Sequence, residues 1–266
     1  MDLFKDHGFL SLWNPILAAL LLGVAIFYAR RHEPRLREKL AFLSGLLLIY
    51  LVCGSPFAVV AQERWMTAFL FQQSVLYLVV PRLLFAGVPR QWLLPLRQNN
   101  SVKRTLQILT YPWLTAIVFN LGFSIYLLPS VFSAVHGNAA LTAVVEGFFF
   151  LSALLMWWSI LSPLPELNPL SEMQRIFYLF ITALMLTPIA MLMLFSDQVL
   201  YPAYAGSAYL PAIYDQQLAA GVLKAFQLTV YSIEIVYLIN HWIRNERIRE
   251  QEKHGKPKVI SFRKIR

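Results

Sequence analysis

The chain has 266 residues, 58% of them hydrophobic and only 14% charged, with a formal net charge of +9. So much apolar surface cannot be hidden in one soluble core, which excludes a lipid-free globular fold. The positive charge sits at the ends of apolar stretches and on no folded module that could present it to a duplex or single strand, so nucleic acid is not an expected partner.

Seven windows of about 20 residues, the length that crosses roughly 30 Å of hydrocarbon, follow one another along the chain. They lie near 10–29, 41–61, 66–87, 109–128, 140–161, 176–195 and 218–242. The first is interrupted by Trp13, Asn14 and Pro15 rather than ended by a cleavage site, so it reads as a span and not as a signal peptide. The expected fold is therefore all-α: a polytopic seven-helix bundle over residues 1–244, followed by a basic tail, 245–266.

Orientation follows from the basic residues. Arg30, Arg31, Arg35, Arg37 and Lys39 follow the first span; Arg82, Arg90, Arg97, Lys103 and Arg104 follow or close the third; Arg175 precedes the sixth; nine more run from Arg244 to Arg266. The opposite loops hold Lys5 and Arg64, and the connection 196–217 has Asp197 and Asp215 but no basic residue. Short basic loops stay in the cytoplasm, which puts the N-terminus outside and the C-terminus inside. The tail could also lie on anionic lipid head groups. The Tyr- and Pro-containing connection 196–217 is expected to lie against the outer helix ends.

Chemistry-bearing motifs are scarce. The five histidines (His7, His32, His136, His241, His254) show no metal-ligand spacing, Cys53 is alone, and neither a phosphate-binding glycine loop nor a nucleophile elbow occurs, so an enzyme is not expected. Polar residues inside the spans are more informative, because an isolated charge facing lipid costs at least a few kcal/mol. On the seventh span Gln217, Lys224, Gln227, Tyr231, Glu234 and His241 recur at helical spacing, so they form one stripe expected to face the bundle. At 1.5 Å per residue Lys224 lies roughly 10 Å below the outer end, level with Glu146, Gln72 and Gln73 and close to Asn120. This predicts an outer polar layer of Gln72, Gln73, Asn120, Glu146 and Lys224 in which Glu146 and Lys224 pair. About 15 Å further in, a second site of Arg82, Tyr231 and Glu234 is expected, with Arg82 partnering Glu234.

The stretches LWNP (12–15), YLVCGSP (50–56), QQSVLYLVVP (72–81), FNLGFSIYLLP (119–129), LMWWSILSPLPEL (155–167) and DQQLAAGVLK (215–224), taken in order, resemble the motifs of the seven-helix CtaG family of cytochrome c oxidase assembly factors of Gram-positive bacteria. The resemblance runs from about residue 9 to residue 244. It implies a bacterial plasma-membrane protein that assists assembly of a terminal oxidase by binding oxidase subunits, with copper insertion as the associated step. In that family His and Met recur at positions that correspond here to Phe69, Leu70, Gln73, Leu127, Thr142, Glu146 and Leu223. These are not soft donors, so no resident copper or other cofactor is expected. Met191 and Met193, two apart on a helix, point in different directions and are expected in packing. The competing reading is a transporter or channel for copper or protons along the stripe of the seventh span, which would need polar groups at every depth on several helices.

Overall fold

The computed structural model describes residues 8, 12–31, 35–161, 163–164, 170–206 and 210–253, and all regular structure among them is helical. His7, His32, His254, the tail beyond Lys253, and Ser162 with residues 165–167 of the SPLPEL stretch lie outside the described residues. The elements are α1 (Pro15–Arg31), α2 (Leu36–Cys53), α3 (Pro56–Glu63), α4 (Met66–Gly87), α5 (Asn100–Leu109), α6 (Pro112–Tyr126), α7 (Pro129–His136), α8 (Ala139–Leu161), α9 (Glu172–Phe195) and α10 (Ala212–Lys253). Two single helical turns, Arg90–Leu93 and Pro95–Gln98, join α4 to α5.

Four helices, α4, α8, α9 and α10, are each long and apolar enough to cross a membrane. The pairs α2/α3 and α5/α6 reach that length only together, bent by 54° and 50°, giving up to six spans; α1 is apolar but shorter. Outward-facing Leu20, Val144, Leu151, Phe180, Ile233 and Val236 are all exposed, as expected for a surface solvated by lipid. The chain is a membrane protein.

Prolines and glycines place the breaks. Gly54 ends α2, and Ser55 caps α3 by accepting the Phe57 N–H at 3.2 Å, with Pro56 at the first helical position. The LWNP stretch meets this break: the Asn14 side chain caps α1 through the Leu17 N–H (3.0 Å), and the Asn14 N–H donates to the Gly54 carbonyl (3.0 Å). Gly87, at the end of α4, admits α2 so closely that a Cβ there would stand 2.5 Å from Phe42 Cβ and 2.8 Å from the Glu38 carbonyl.

Helix α4 is the axis of the bundle. Of its membrane-length window 67% is buried, against 28–39% for the other three long helices. Its first half packs on α10, its second half on α2, and α8 lies alongside. The core around it is aromatic: Phe69, Tyr77, Phe119, Phe123, Tyr126, Phe132 and Phe149 are buried and in ring contact with one another along much of the bundle, and Trp157 is buried edge-on to Tyr231. The connection 196–211, where described, lies on the helix ends as expected, with Tyr201 donating to the Leu127 carbonyl and Tyr204 to the Ala61 carbonyl (3.0 Å). Burial raises both phenol pKa values above the ordinary range.

Candidate functional site

Polar groups enter the core at the irregularities of α4 and its neighbours. Residues Val75–Val79 of α4 and Ile117–Leu121 of α6 are single π turns inside otherwise α-helical segments, a form that often accompanies functional positions. In α4 the turn runs up to Pro81, which has no N–H to offer the carbonyl four residues back. That carbonyl, of Tyr77, is instead met at 2.9 Å by the indole N–H of the fully buried Trp157 on α8. A proline in one quoted stretch is thus repaired by a tryptophan in another.

At the less basic end, Glu146 of α8 gathers amides. Its carboxylate accepts from Gln62 Nε2 at 2.8 Å and Gln73 Nε2 at 3.0 Å, and its backbone carbonyl accepts from the Tyr77 hydroxyl at 3.3 Å. Gln62 also approaches Gln72 Oε1 (3.5 Å), while Gln72 donates to the Val52 carbonyl (2.7 Å). Beside them a cleft of about 360 Å³ is lined by Gln62, Glu63, His136, Thr142 and Glu146 among others. His136 stacks on Phe132 (4.8 Å, 19°), and its Nε2 lies 2.7 Å from the Gln62 carbonyl. Gln62 and His136 were not among the expected site residues; a half-buried glutamine near one helix end and a histidine closing a short helix carry no pattern that a single sequence reveals.

Gln72, Gln73 and Glu146 therefore converge as expected, but the outer layer is not one site. Lys224 does not pair with Glu146. Its ammonium donates to Gln227 Oε1 (2.6 Å), Thr187 Oγ1 (3.1 Å) and the Ala183 carbonyl (3.1 Å), which uses all three of its N–H groups. The reason is the break in α9: its first segment stops at Met185, Pro188 follows, and the carbonyls of that turn form a helix C-terminus. Such an end carries partial negative charge and holds a cation without a carboxylate. Depth alone, used to match Lys224 with Glu146, leaves direction around the helix undetermined.

Asn120 also stands apart. Fully buried, it donates to the Ala116 carbonyl (3.0 Å) and approaches Met156 Sδ (3.6 Å). Tyr231 reaches the same sulfur (3.9 Å) and lies edge-on to Trp157 (6.3 Å, 74°). Tyr231 thus belongs to a middle layer with Asn120 and Met156, one turn away from the inner site where it was expected. There the anticipated pair is present: Arg82 Nε donates to Glu234 Oε2 at 2.8 Å, with Glu234 1% exposed. The stripe of α10 is divided accordingly: Gln227, Tyr231 and Glu234 face inward, Lys224 is half-buried on the flank, and His241 is exposed beside Glu172 (3.1 Å).

The DQQ stretch has a role that its sequence did not disclose. Asp215, 2% exposed, accepts the Met66 N–H (2.7 Å) and the Thr67 N–H (3.2 Å), so a residue of α10 caps the start of α4. Gln216 pins the preceding connection by accepting from the Leu200 N–H and donating to the Gln198 carbonyl, both at 2.9 Å.

The seven positions at which the resemblance implies His or Met are occupied by packing and amide groups. Phe69, Leu70, Gln73, Leu127, Thr142 and Leu223 are buried, and Phe69 lies edge-on to His136 (6.0 Å, 86°). A single imidazole, a carboxylate and two amides are a poor set for copper, which favours thioether, thiolate and several imidazoles. Among the described residues no three His, Cys, Asp or Glu side chains converge as a metal site. Met193 is buried in the core and Met191 is exposed at the apolar surface, in keeping with packing roles.

Compared with known proteins, residues 18–245 match the family model described as cytochrome c oxidase caa3 assembly factor. No curated protein and no solved structure gives a significant match.

Proposed function

Since this chain belongs to the caa3 cytochrome c oxidase assembly factor family, we propose that it assists assembly of such an oxidase in a bacterial plasma membrane by binding oxidase subunits, with no catalysis of its own. The family match, which takes in every apolar helix from α1 to α10, carries this reading. We further infer seven crossings, with α1, α2/α3 and α5/α6 each spanning once, the N-terminus outside and the C-terminal tail in the cytoplasm against anionic lipid. The distribution of Lys and Arg supports that orientation.

The interior supports a binding scaffold over a conduit. The Glu146 carboxylate is held by Gln62 and Gln73, Asn120 by the Ala116 carbonyl and the Met156 sulfur, and Glu234 by Arg82, and rings of Tyr77, Phe119, Phe149 and Trp157 lie around these separate groups. A proton or ion path needs polar groups in succession rather than layers set among aromatic rings. Copper insertion, which the resemblance implies, has no fitting donor set among the described residues, so the proposed role rests on contact with subunits and not on carrying metal.

The test is deletion of the gene with assay of caa3 oxidase activity and subunit content in isolated membranes. Loss of assembled oxidase, restored by the full chain, is the expected result. Normal oxidase content and activity in the deletion strain would overturn the proposal.

A further inference from the structure

At the basic end of the bundle, a cleft of about 330 Å³ opens between α4, α8, α9 and α10, lined by Arg82, Phe85, Pro163, Arg175, Glu234 and Tyr237 among others. Two guanidinium groups face it. Arg82 spends its Nε–H on Glu234 (2.8 Å), and Arg175 spends its own on the Leu170 carbonyl (3.1 Å). Neither has a protein acceptor on its Nη edge among the described residues, although arginine carries most of its donors there. Among the described residues Glu234 is the single carboxylate of the lining; the nearby Glu172 is turned to His241 (3.1 Å) and Asn245 (3.0 Å). The described lining therefore holds two fixed cations against one anion, with unspent planar donors.

That arrangement lacks one partner of negative charge. Paired Nη edges suit a tetrahedral oxyanion, which takes several charge-assisted hydrogen bonds at once. The depth suits it too: Arg82 lies five residues before the end of α4 at Gly87, and Arg175 three residues after the start of α9 at Glu172, so both lie within about 8 Å of helix ends. Phe85, Leu161, Tyr237 and Leu238 supply the apolar part of the lining, against which acyl chains would run. We propose that the Arg82–Arg175 cleft binds a phosphate-type oxyanion, presented by the head group of an anionic lipid in the adjoining leaflet. Such a lipid would bridge α4 and α9 across the Arg82–Glu234 pair.

Full-length protein stripped of lipid in a neutral detergent provides the test. Thermal unfolding is followed while phosphatidylglycerol, phosphatidylcholine or sodium phosphate is added at constant ionic strength. Phosphatidylglycerol is expected to raise the midpoint saturably and phosphatidylcholine to leave it unchanged. Arg175→Gln, which spares the Arg82–Glu234 pair, is expected to weaken the phosphatidylglycerol effect about tenfold, the loss of roughly one charge-assisted contact. Arg249→Gln, on the exposed end of α10, is expected to leave it intact. A saturable shift with sodium phosphate alone assigns the site to a free anion, and a shift with the lipid alone assigns it to the head group. Should Arg175→Gln fail to fold, Arg175→Lys keeps the charge but not the planar fork, and retained phosphatidylglycerol counted by native mass spectrometry is expected to fall. Equal shifts from both lipids, or wild-type phosphatidylglycerol binding by the folded Arg175 variant, would overturn the proposal.

Discussion

Trp157→Phe isolates the contact that spans the break in α4. The indole N–H is the 2.9 Å donor to the Tyr77 carbonyl, whose usual helical partner position is occupied by Pro81. Phenylalanine takes that donor away from a buried carbonyl, at a cost of about 1–3 kcal/mol. The smaller ring adds a packing loss on the order of 1 kcal/mol, because Trp157 is fully buried against Tyr231. A total near 2–4 kcal/mol is therefore expected for unfolding in mixed micelles of dodecyl maltoside and SDS. In Pro81→Ala the new N–H can serve the Tyr77 carbonyl, so in that background the hydrogen-bond part of the cost should vanish and only the packing part remain. The two changes are then coupled by about 1–3 kcal/mol in a double-mutant cycle. Strict additivity, with coupling below about 0.5 kcal/mol, would show that Pro81 is not the reason Trp157 donates there.

Glu146→Gln and Lys224→Met should act independently, since one group is held by Gln62 and Gln73 and the other by the α9 turn; a cycle between them is expected to show no coupling by the same micelle assay. Arg82→Met alone leaves the carboxylate of Glu234, 1% exposed, without its cation and should cost about 3–5 kcal/mol, whereas Arg82→Met with Glu234→Met should recover most of it. A reporter fused after Arg266 should be active only in the cytoplasm and one placed at Ala205 only outside; cytoplasmic activity at both would refute seven crossings. Extensively washed protein should contain far less than stoichiometric copper by elemental analysis, because Phe69, Leu70, Gln73 and Thr142 supply no soft donor.

Hydropathy and charge made the apolar helices legible, because length and composition alone decide whether a segment suits hydrocarbon. The same pattern did not show the 54° and 50° bends, although Gly54-Ser55-Pro56 and Pro112 mark both places. Depth along a helix was likewise readable at 1.5 Å per residue, and it brought Arg82 to Glu234 correctly. Lys224 exposed the limit of that argument. Two groups at one depth can still face different neighbours, and a lysine can be satisfied by carbonyls, which no residue letter announces. Asp215 and Trp157 were invisible for a related reason: each serves a main-chain group far away in sequence, at Met66 and at Tyr77.

These main-chain contacts give the quoted stretches a common purpose. Asn14 of LWNP donates to Gly54 of YLVCGSP; Trp157 of LMWWSILSPLPEL donates to Tyr77 of QQSVLYLVVP; Asp215 of DQQLAAGVLK caps the start of α4. In hydrocarbon an unpaired backbone group costs several kcal/mol, so each break at a glycine, proline or helix end requires a partner from elsewhere. The stretches that carry the family resemblance therefore lock α1 to α2, α8 to α4 and α10 to α4. None of these locks depends on the positions at which the resemblance implies His or Met, and those positions here are closed by Phe69, Leu70, Leu127 and Leu223. A chain can thus keep the shape that oxidase subunits would meet while filling its interior with rings and amides. For a protein proposed to work through its outer surface, that shape is what the sequence has to preserve.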